Sequence, residues 1–265
     1  MSAGLSGKNV VVTGSSSGIG RAIALAAAMA GANVLVHGYR NLAGAKQTAD
    51  EVQALGRQSA VSMADIRDSD QQASLLEAAY QAFPRLDAWV HCAGADILTG
   101  ESAKLDFQAK LDLLWSIDVR ATIQLSRQVA QRLVDQQPVG PAPAMLFVGW
   151  DQALHGMEGE AGQLFCPIKG AITSYSLALA QTLAPQVRVN CIAPGWVQTA
   201  WGVATDDYWH RRAQASSLMA RWGTPDDVAT VAAFLISPAA SFINGQTIAI
   251  NGGWNYGVLP RGQTR

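Results

Sequence analysis

Near its start the chain reads Thr13-Gly14-Ser15-Ser16-Ser17-Gly18-Ile19-Gly20. Residues 9–13 form an apolar run typical of a buried strand, and residues 18–30 form an alanine-rich stretch typical of a helix that ends at Gly31. Glycines between a strand and a helix allow a tight turn and let a pyrophosphate approach the backbone N–H groups of the helix. A flexible linker has a similar composition, but this placement favours a dinucleotide-binding loop.

The rest of the chain repeats this alternation of short apolar runs and amphipathic stretches. Strands are predicted at residues 9–13, 33–36, 58–63, 86–91, 144–148, 187–192 and 246–250. Helices are predicted at residues 18–30, 42–55, 69–83, 106–134, 168–183, 205–219 and 225–236, and residues 149–163 are predicted to be irregular. This order predicts an α/β fold, with one doubly wound, Rossmann-type parallel sheet of about seven strands and helices on both faces. We expect a single domain over residues 1–265, with a substrate-loop insertion around residues 196–222.

The composition argues against several other classes of protein. The 265 residues carry a net charge of −1, which gives no support to a nucleic-acid or acidic-membrane partner. A hydrophobic fraction of 49% with 15% charged residues is typical of a globular chain with a large core. The three cysteines are widely spaced and the four histidines lack metal-ligand spacing, so we expect neither a disulfide framework nor a metal site.

Two further segments bear on the cellular compartment. Residues 1–8 contain no apolar stretch, so we expect no signal peptide. Residues 228–260 carry no charge, but Ser237-Pro238 and Asn244-Gly245 divide them into helix, turn and strand, which argues against a membrane span. We therefore expect a cytoplasmic protein with no membrane partner.

Six separate motifs, in the right order, resemble those of the short-chain dehydrogenase/reductase family over nearly the whole chain. They are the Thr-Gly-x₃-Gly-Ile-Gly loop and the segments Asp65-Ile66, His91-Cys92-Ala93-Gly94, Pro194-Gly195-Trp196-Val197-Gln198-Thr199, Arg221-Trp222-Gly223-Thr224-Pro225 and Asn251-Gly252-Gly253-Trp254. The resemblance implies a nicotinamide cofactor. The implied contact residues are Gly14, Ser15, Ser17, Gly18, Ile19, Gly20, Tyr39, Arg40, Asn41, Asp65, Ile66, Cys92, Ala93, Gly94, Lys169, Pro194, Gly195, Val197 and Thr199.

The end of the second strand indicates which nicotinamide cofactor binds. NAD-binding proteins of this fold carry an acidic residue here, whereas an arginine accommodates the 2′-phosphate of NADP. Gly38 stands at the acidic position, no acidic residue occurs between Gly31 and Ala49, and Arg40 follows. Ser17 occupies a loop position that is often basic in NADP-binding relatives. We predict NADP(H) as cofactor, with NADPH bound at least about tenfold more tightly than NADH.

The catalytic set that the family implies is mostly absent. That set is Asn, Ser, Tyr and Lys, with Tyr as the acid/base four residues before Lys. Lys169 stands at the Lys position, but Phe165 replaces Tyr and has no transferable proton. Asp118 replaces Asn. The Ser position falls on Trp150 or Gly149 by strand matching and on Gln152 by counting back from Phe165.

These substitutions leave three hypotheses open. The first is an NADP(H)-dependent reductase in which Asp118 donates a proton or orders a water molecule, or only structures its helix. Its substrate is a conjugated C=C bond or a carbonyl, because dienoyl-CoA reductases of the same family also lack the Tyr. Asp96, Asp151 and Gln152 are further polar candidates. The second is a catalytically inactive NADP(H)-binding sensor or oligomer partner, and the third is a structural relic.

Four tryptophans fall in the segments expected around the substrate pocket: Trp150, Trp196, Trp201 and Trp209. If they line the pocket, they predict a small-molecule substrate that is flat or apolar; otherwise they serve core or subunit packing. The family resemblance also implies a homotetramer or homodimer that pairs through residues 106–134, residues 168–183 and the C-terminal segment.

Overall fold

The computed structural model describes residues 4–255, and its seven strands form one sheet. The strand order is β3-β2-β1-β4-β5-β6-β7, and every neighbouring pair is parallel. This topology confirms the predicted doubly wound, Rossmann-type sheet. The strands are β1 Asn9–Val12, β2 Asn33–Gly38, β3 Ser59–Met63, β4 Ala88–His91, β5 Ala144–Val148, β6 Arg188–Pro194 and β7 Thr247–Ile250.

Helices connect the strands and cover both faces of the sheet. They are α1 Gly18–Met29, α2 Leu42–Ala54, α3 Ser69–Ala82, α4 Phe107–Leu114, α5 Thr122–Asp135, α6 Gly159–Leu183, α7 Ala200–Ala204, α8 Asp207–Ser216 and α9 Pro225–Ile236. A π-helical segment, Trp115–Ala121, joins α4 to α5. Short 3₁₀ turns occur at Glu101–Lys104, Asp151–Ala153 and Pro238–Ala240.

Three helices differ from the sequence prediction. The helix predicted at residues 106–134 is divided into α4, the π-helical segment and α5. Helix α6 begins at Gly159, whereas residues 149–163 were predicted to be irregular and the helix to begin at 168. Proline usually ends a helix, but Leu164 and Ile168 are both fully buried around Pro167, and this packing holds the helix together. The predicted helix 205–219 was also wrong in its bounds: α7 precedes it, and Asp206 caps the start of α8 by accepting from the Trp209 amide at 3.2 Å.

The core lies in two layers on either side of the sheet. Val10 and Val12 pack with α1, α2 and α9, whereas Val11 and Trp89 pack with α3, α5 and α6. Both faces of the central strands are buried, which explains why these strands read as continuous apolar runs, whereas the edge strands β3 and β7 are only partly buried. No helix among residues 4–255 is long and apolar enough to cross a membrane.

Candidate active site and cofactor cleft

A cleft of about 960 Å³ opens along the carboxyl ends of the strands, beside the point where the chain order reverses between β1 and β4. Most residues expected to contact a cofactor lie on its surface. They are Gly14, Ser17, Gly18, Ile19, Gly20, Tyr39, Arg40, Asn41, Asp65, Ile66, Cys92, Ala93, Gly94, Lys169, Pro194, Gly195, Val197 and Thr199. We call the part of the cleft that these residues line the cofactor end.

The glycine loop is held by close backbone contacts and by two side chains that the sequence analysis did not assign. A Cβ on Gly20 would lie 2.3 Å from the Gly14 carbonyl oxygen, so the loop leaves no space for a larger residue there. His37 accepts from the Gly14 amide through Nδ1 at 3.1 Å, and its Nε2 lies 3.1 Å from the Ala64 carbonyl. Thr13 Oγ1 accepts from the amides of Cys92 and Ala93 at 3.0 and 3.1 Å, which ties the end of β1 to the end of β4.

His37 carries no sequence signal for its role, and Thr13 is marked only as the first residue of the glycine-loop motif. An isolated histidine or threonine at a strand end is usually a satisfied core residue, and both are buried. Burial lowers the pKa of His37, against the opposing effect of its hydrogen bond to Ala64, so the ring stays neutral at physiological pH. A neutral ring is what the contact with Gly14 requires, because Nδ1 accepts there.

Ser15 was expected to contact the cofactor, but the structure places it behind the loop. Its side chain is fully buried, and its hydroxyl donates to the Val12 carbonyl at 2.6 Å and accepts from the His37 amide at 3.0 Å. The neighbouring Ser16, which was not selected from the sequence, lies on the cleft surface instead. Ser15 therefore supports the loop, whereas Ser16 and Ser17 lie on the cleft surface.

The end of β2 carries the positive charge expected at a 2′-phosphate site. Arg40 is exposed, and its guanidinium lies 4.8 Å from the centre of the Tyr39 ring. Arg67, which the sequence analysis missed, approaches the same ring at 5.7 Å and pairs with Asp65 at 2.5 Å. The hydrogen bond from Arg67 is the main cause of a lowered pKa at Asp65. Because Arg67 neutralises Asp65, Arg40 adds an unbalanced positive charge here.

Asn41 also lies on the cleft, but its side chain is occupied by the fold. Its Oδ1 caps α2 by accepting from the Gly44 amide at 3.0 Å, and its Nδ2 donates to the Ser16 carbonyl at 3.2 Å. It therefore fixes the start of α2 against the glycine loop.

Lys169 and Asp118 form a buried ion pair beside the cleft. Lys169 Nζ lies 2.8 Å from Asp118 Oδ1, and Asp118 Oδ2 accepts from the Ala95 amide at 2.8 Å. The Asp118 side chain is only 2% exposed, whereas Lys169 is 19% exposed and reaches the cleft. Burial opposes the charge on Lys169, but the Coulomb attraction and hydrogen bond of Asp118 outweigh it and raise the pKa of Lys169.

The π-helical segment is the local feature that carries Asp118. Its seven residues replace regular α-helix between α4 and α5, and such segments occur frequently at functional sites. Gly94 lies directly opposite, where a Cβ would be 2.7 Å from Asp118 Oδ1. Asp118 is thus enclosed by the backbone after β4 and by Lys169, and it does not reach the cleft surface.

Phe165 and Trp150 lie on the cleft at the positions expected for Tyr and Ser. Their rings meet edge to face, with centroids 6.0 Å apart. We call the substrate end the part of the cleft lined by Ala95, Asp96, Leu98, Trp150, Met157, Ala161, Phe165, Trp196, Ala200, Trp201, Trp209 and Trp222. Within the described chain, none of these residues carries a hydroxyl or thiol group, and Asp96 is the only one with a charge.

The other polar candidates do not supply a donor to the cleft. Asp151 and Gln152 are buried behind it, 5% and 1% exposed, and do not line it. Asp151 Oδ2 accepts from Asn251 at 3.0 Å, and burial raises the pKa of Asp151 to about 6. Asp96 lies on the cleft, but it accepts from the Leu98 and Thr99 amides and from the Thr99 hydroxyl.

Four tryptophans form an aromatic cluster at the substrate end. Trp196 lies 6.2 Å from Trp201, 5.6 Å from Trp209 and 5.9 Å from Trp222, measured between ring centroids. The Arg212 guanidinium lies 5.4 Å from the Trp209 ring and 6.0 Å from the Trp196 ring. The cluster comes from the segment between β6 and α9, where a short helix α7 and a capped helix α8 bring the indoles together.

His91 and Cys92 are packing residues rather than acid–base groups. His91 stacks on Phe147 with ring centroids 4.8 Å apart, and burial lowers its pKa to about 3. Burial likewise raises the pKa of Cys92 to about 11, so its thiol stays protonated at neutral pH. Neither group titrates in the range in which a general acid or base works.

Comparison with known proteins finds relatives that are named dehydrogenases or reductases. Residues 14–255 match the family model described as Enoyl-(Acyl carrier protein) reductase. A probable 2,4-dienoyl-CoA reductase of Bacillus subtilis is 31% identical over 258 residues, which cover 93% of this chain and 96% of that protein.

Solved structures show the same fold with either cofactor. A short-chain dehydrogenase from Burkholderia cenocepacia in complex with NADP has a TM-score of 0.83 and 28% identity, covering 94% of this chain and 98% of the other. A 7α-hydroxysteroid dehydrogenase in complex with NADH and 7-oxo glycochenodeoxycholic acid has a TM-score of 0.84 and 27% identity, covering 96% of each chain.

Proposed function

The chain belongs to the short-chain dehydrogenase/reductase family, and from this premise we propose that it is an NADP(H)-dependent oxidoreductase with non-standard catalytic residues. The observation that carries the proposal is the Lys169–Asp118 pair on the nicotinamide side of a cleft whose cofactor end keeps the glycine loop. The bound nicotinamide supplies or accepts the hydride. A buried ion pair is expensive to desolvate, so its presence beside the cleft favours a functional site over a structural relic.

The charge around Tyr39 supports NADP(H) over NAD(H). The Arg40 guanidinium is planar and free to pair with a phosphate, and Asp65 is already neutralised by Arg67. The NADP complex of the Burkholderia cenocepacia protein is consistent with this choice, whereas the NADH complex of the hydroxysteroid dehydrogenase shows that the fold alone does not decide it.

Lys169 and Asp118 have different roles in the proposal. Lys169 holds the hydroxyls of the nicotinamide ribose, because its ammonium reaches the cleft with donors to spare. Asp118 fixes the position and charge of Lys169. Donation of a proton by Asp118 does not fit this geometry, since both of its oxygens accept hydrogen bonds and the carboxylate lies behind the cleft surface.

The substrate we propose is a small apolar molecule with a conjugated C=C bond or a carbonyl. The family description names enoyl reduction, the Bacillus subtilis relative is named for dienoyl-CoA reduction, and the substrate end is aromatic. Hydride addition to a conjugated C=C bond gives an enolate, which groups other than Tyr can stabilise. Phe165 is the observation that favours the second candidate, a catalytically inactive NADP(H)-binding protein, because it removes the usual acid.

Assembly and compartment are further parts of the proposal. Trp115 and Leu177 are 52% and 40% exposed on segments 106–134 and 168–183, as expected for surfaces that pair in a homodimer or homotetramer. Cys92, Cys166 and Cys191 are free, which is consistent with the reducing environment of the cytoplasm. Sedimentation analysis with and without NADPH measures the assembly directly.

The test of the proposed function is transfer of deuterium from 4-deuterated NADPH into product. The purified protein is incubated with a panel of cyclic enones, enoyl-CoA esters and ketones, and the products are examined by mass spectrometry. Incorporation of one deuterium supports the oxidoreductase. Binding of NADPH without transfer to any member of the panel would favour the inactive binding protein.

A further inference from the structure

The substrate end of the cleft combines three features that a carbonyl reductase does not need together. It has no hydroxyl or thiol group among its described lining residues, its walls are mainly indole and phenyl rings, and its single charged residue, Asp96, is acidic. The first feature concerns the chemistry of the hydride acceptor, and the other two concern its charge. All three point to the same kind of substrate.

We propose that the hydride acceptor is a cationic carbon–nitrogen double bond, an iminium, in a molecule small enough for the aromatic cluster. This inference rests on the proposed NADP(H)-dependent oxidoreductase activity, and it replaces the conjugated C=C bond or carbonyl named there with a C=N bond as the group that is reduced. A ketone becomes an alkoxide when hydride adds, so it needs a proton donor close to its oxygen. An iminium ion becomes a neutral amine and needs none.

The step balances without a proton. The C4–H bond of NADPH breaks and its electron pair forms a new C–H bond at the iminium carbon. The π electrons of the C=N bond become the lone pair of the amine nitrogen. The acceptor is reduced by two electrons, NADPH is oxidised to NADP⁺, and the positive charge passes from the substrate to the nicotinamide ring. Phe165 is therefore compatible with turnover of this acceptor.

The tryptophans already hold one cation in the structure. Arg212 lies over the rings of Trp209 and Trp196, at 5.4 and 6.0 Å, while Glu158 pairs with it at 2.6 Å. Indole faces are the aromatic surfaces that attract cations most strongly, and the attraction grows as water is excluded. Because Glu158 offsets the charge of Arg212, the lining of the substrate end remains favourable to a second cation.

The remaining charges of the cleft agree with this choice. Arg40 stands at the cofactor end, and Lys169 is paired with Asp118. A substrate with a carboxylate beside its reacting carbon would meet Asp96 and no unpaired cation at the substrate end. A neutral aromatic molecule fits the walls equally well in shape, so charge is what the experiment has to isolate.

Binding of ligands to the cofactor-free protein separates the effect of ligand charge from the effect of ligand shape. Tryptophan fluorescence is titrated with N-methyl-3,4-dihydroisoquinolinium and with its neutral carbon isostere, 3-methyl-1,2-dihydronaphthalene. We expect the cation to bind at least about tenfold more tightly than the isostere. Trp209→Leu should weaken binding of the cation about tenfold, while Trp209→Phe keeps an aromatic face and should recover most of it. Phe242→Leu, at a fully exposed side chain outside the cleft, is the matched control and should change neither affinity.

Turnover is then measured with NADPH, using the same cation and 2-tetralone as a ketone of similar size. The proposal predicts oxidation of NADPH by the cation at a rate independent of pH between about 6 and 9, since no proton enters the step, and no detectable reduction of 2-tetralone. Equal or tighter binding of the neutral isostere, or reduction of the ketone alone, would overturn it. Failure of NADPH itself to bind would instead reject the proposed function.

Discussion

The cofactor end and the substrate end of the cleft differ in how closely their residues follow the family pattern. At the cofactor end, the glycine loop, Arg40 and Lys169 agree with the family pattern. His37 accepts a hydrogen bond from the Gly14 amide of the loop, and Thr13 accepts one from the Cys92 amide at the end of β4. At the substrate end, aromatic rings stand where the family carries hydroxyls, and tryptophans supply most of the wall. The contrast teaches that residues expected to bind the dinucleotide can be present while those expected to deliver a proton are replaced.

The largest effect is expected at the ion pair where the two ends meet. Lys169→Met leaves the buried Asp118 carboxylate unpaired, so the free energy of unfolding should fall by about 3–5 kcal/mol. The double variant Lys169→Met/Asp118→Asn removes both charges and should recover most of that loss. Urea unfolding of both variants measures the difference, and equal losses would show that the pair is not what holds this junction.

Asp151, behind the substrate end, should make stability depend on pH. Burial raises its pKa from 3.8 to about 6, so the folded protein binds the proton more tightly than the unfolded chain does. The free energy of unfolding should therefore fall by about 3 kcal/mol as the pH rises from about 4 to 6, and stay lower above that. Asp151→Asn should remove this fall, which urea unfolding at pH 4.5 and 8 detects. An unchanged pH dependence in the variant would contradict the assignment.

A side chain added at Gly20 should weaken cofactor binding and leave the substrate end unchanged. Gly20→Ala places a Cβ against the Gly14 carbonyl oxygen, so affinity for NADPH should fall by on the order of 100-fold. The matched control is Gly170→Ala, also in a helix, where a Cβ meets nothing within 4 Å. This control should add about 0.5–1 kcal/mol of stability and keep NADPH binding. Similar affinities in both variants would mean that the loop does not bind the pyrophosphate.

A tyrosine at position 165 should give the substrate end the hydroxyl group that the family pattern carries there, so that both ends follow the pattern more closely. Phe165→Tyr places an acidic hydroxyl on the cleft, so reduction of 2-tetralone by NADPH, which should be undetectable in the parent protein, should reach at least about tenfold above the detection limit. The effect is smaller than a complete acid/base replacement because the Ser position is still occupied by an aromatic residue. Initial rates of NADPH oxidation give the comparison. A variant that folds, binds NADPH and gains no ketone reduction would show that more than the hydroxyl is missing.

The sequence predicted the sheet well because buried parallel strands leave an unmistakable apolar pattern. The bounds of β5 and α9 were correct, the latter because Thr224 and Pro225 mark its start. Helix α6 was predicted to start too late, since Pro167 reads as a helix boundary and only tertiary packing carries the helix through it. Local signals cannot show that packing.

Features of the site that depend on the position of a residue along the chain were predictable. Features that depend on contacts between side chains were predicted less well. The glycine loop and Arg40 follow from position along the chain. The pairing of Asp118 with Lys169 depends on a distance across the fold, and the role of His37 has no local signal. Asp65 and Arg67 are only two residues apart, so their pairing is local, yet the sequence analysis did not predict it. The proton-donor hypothesis for Asp118 illustrates this limit, because the sequence does not reveal that the carboxylate faces Lys169.

The most direct test of the account is an equilibrium titration of the protein with NADPH and with NADH, followed by tryptophan fluorescence. We predict that NADPH binds at least about tenfold more tightly, a difference of about 1.4 kcal/mol, and that Arg40→Ala removes most of this preference. Lys46→Ala, a nearby exposed cation on α2, is the control and should preserve it. Equal affinities for the two cofactors, or a preference for NADH, would contradict the assignment of the cofactor end.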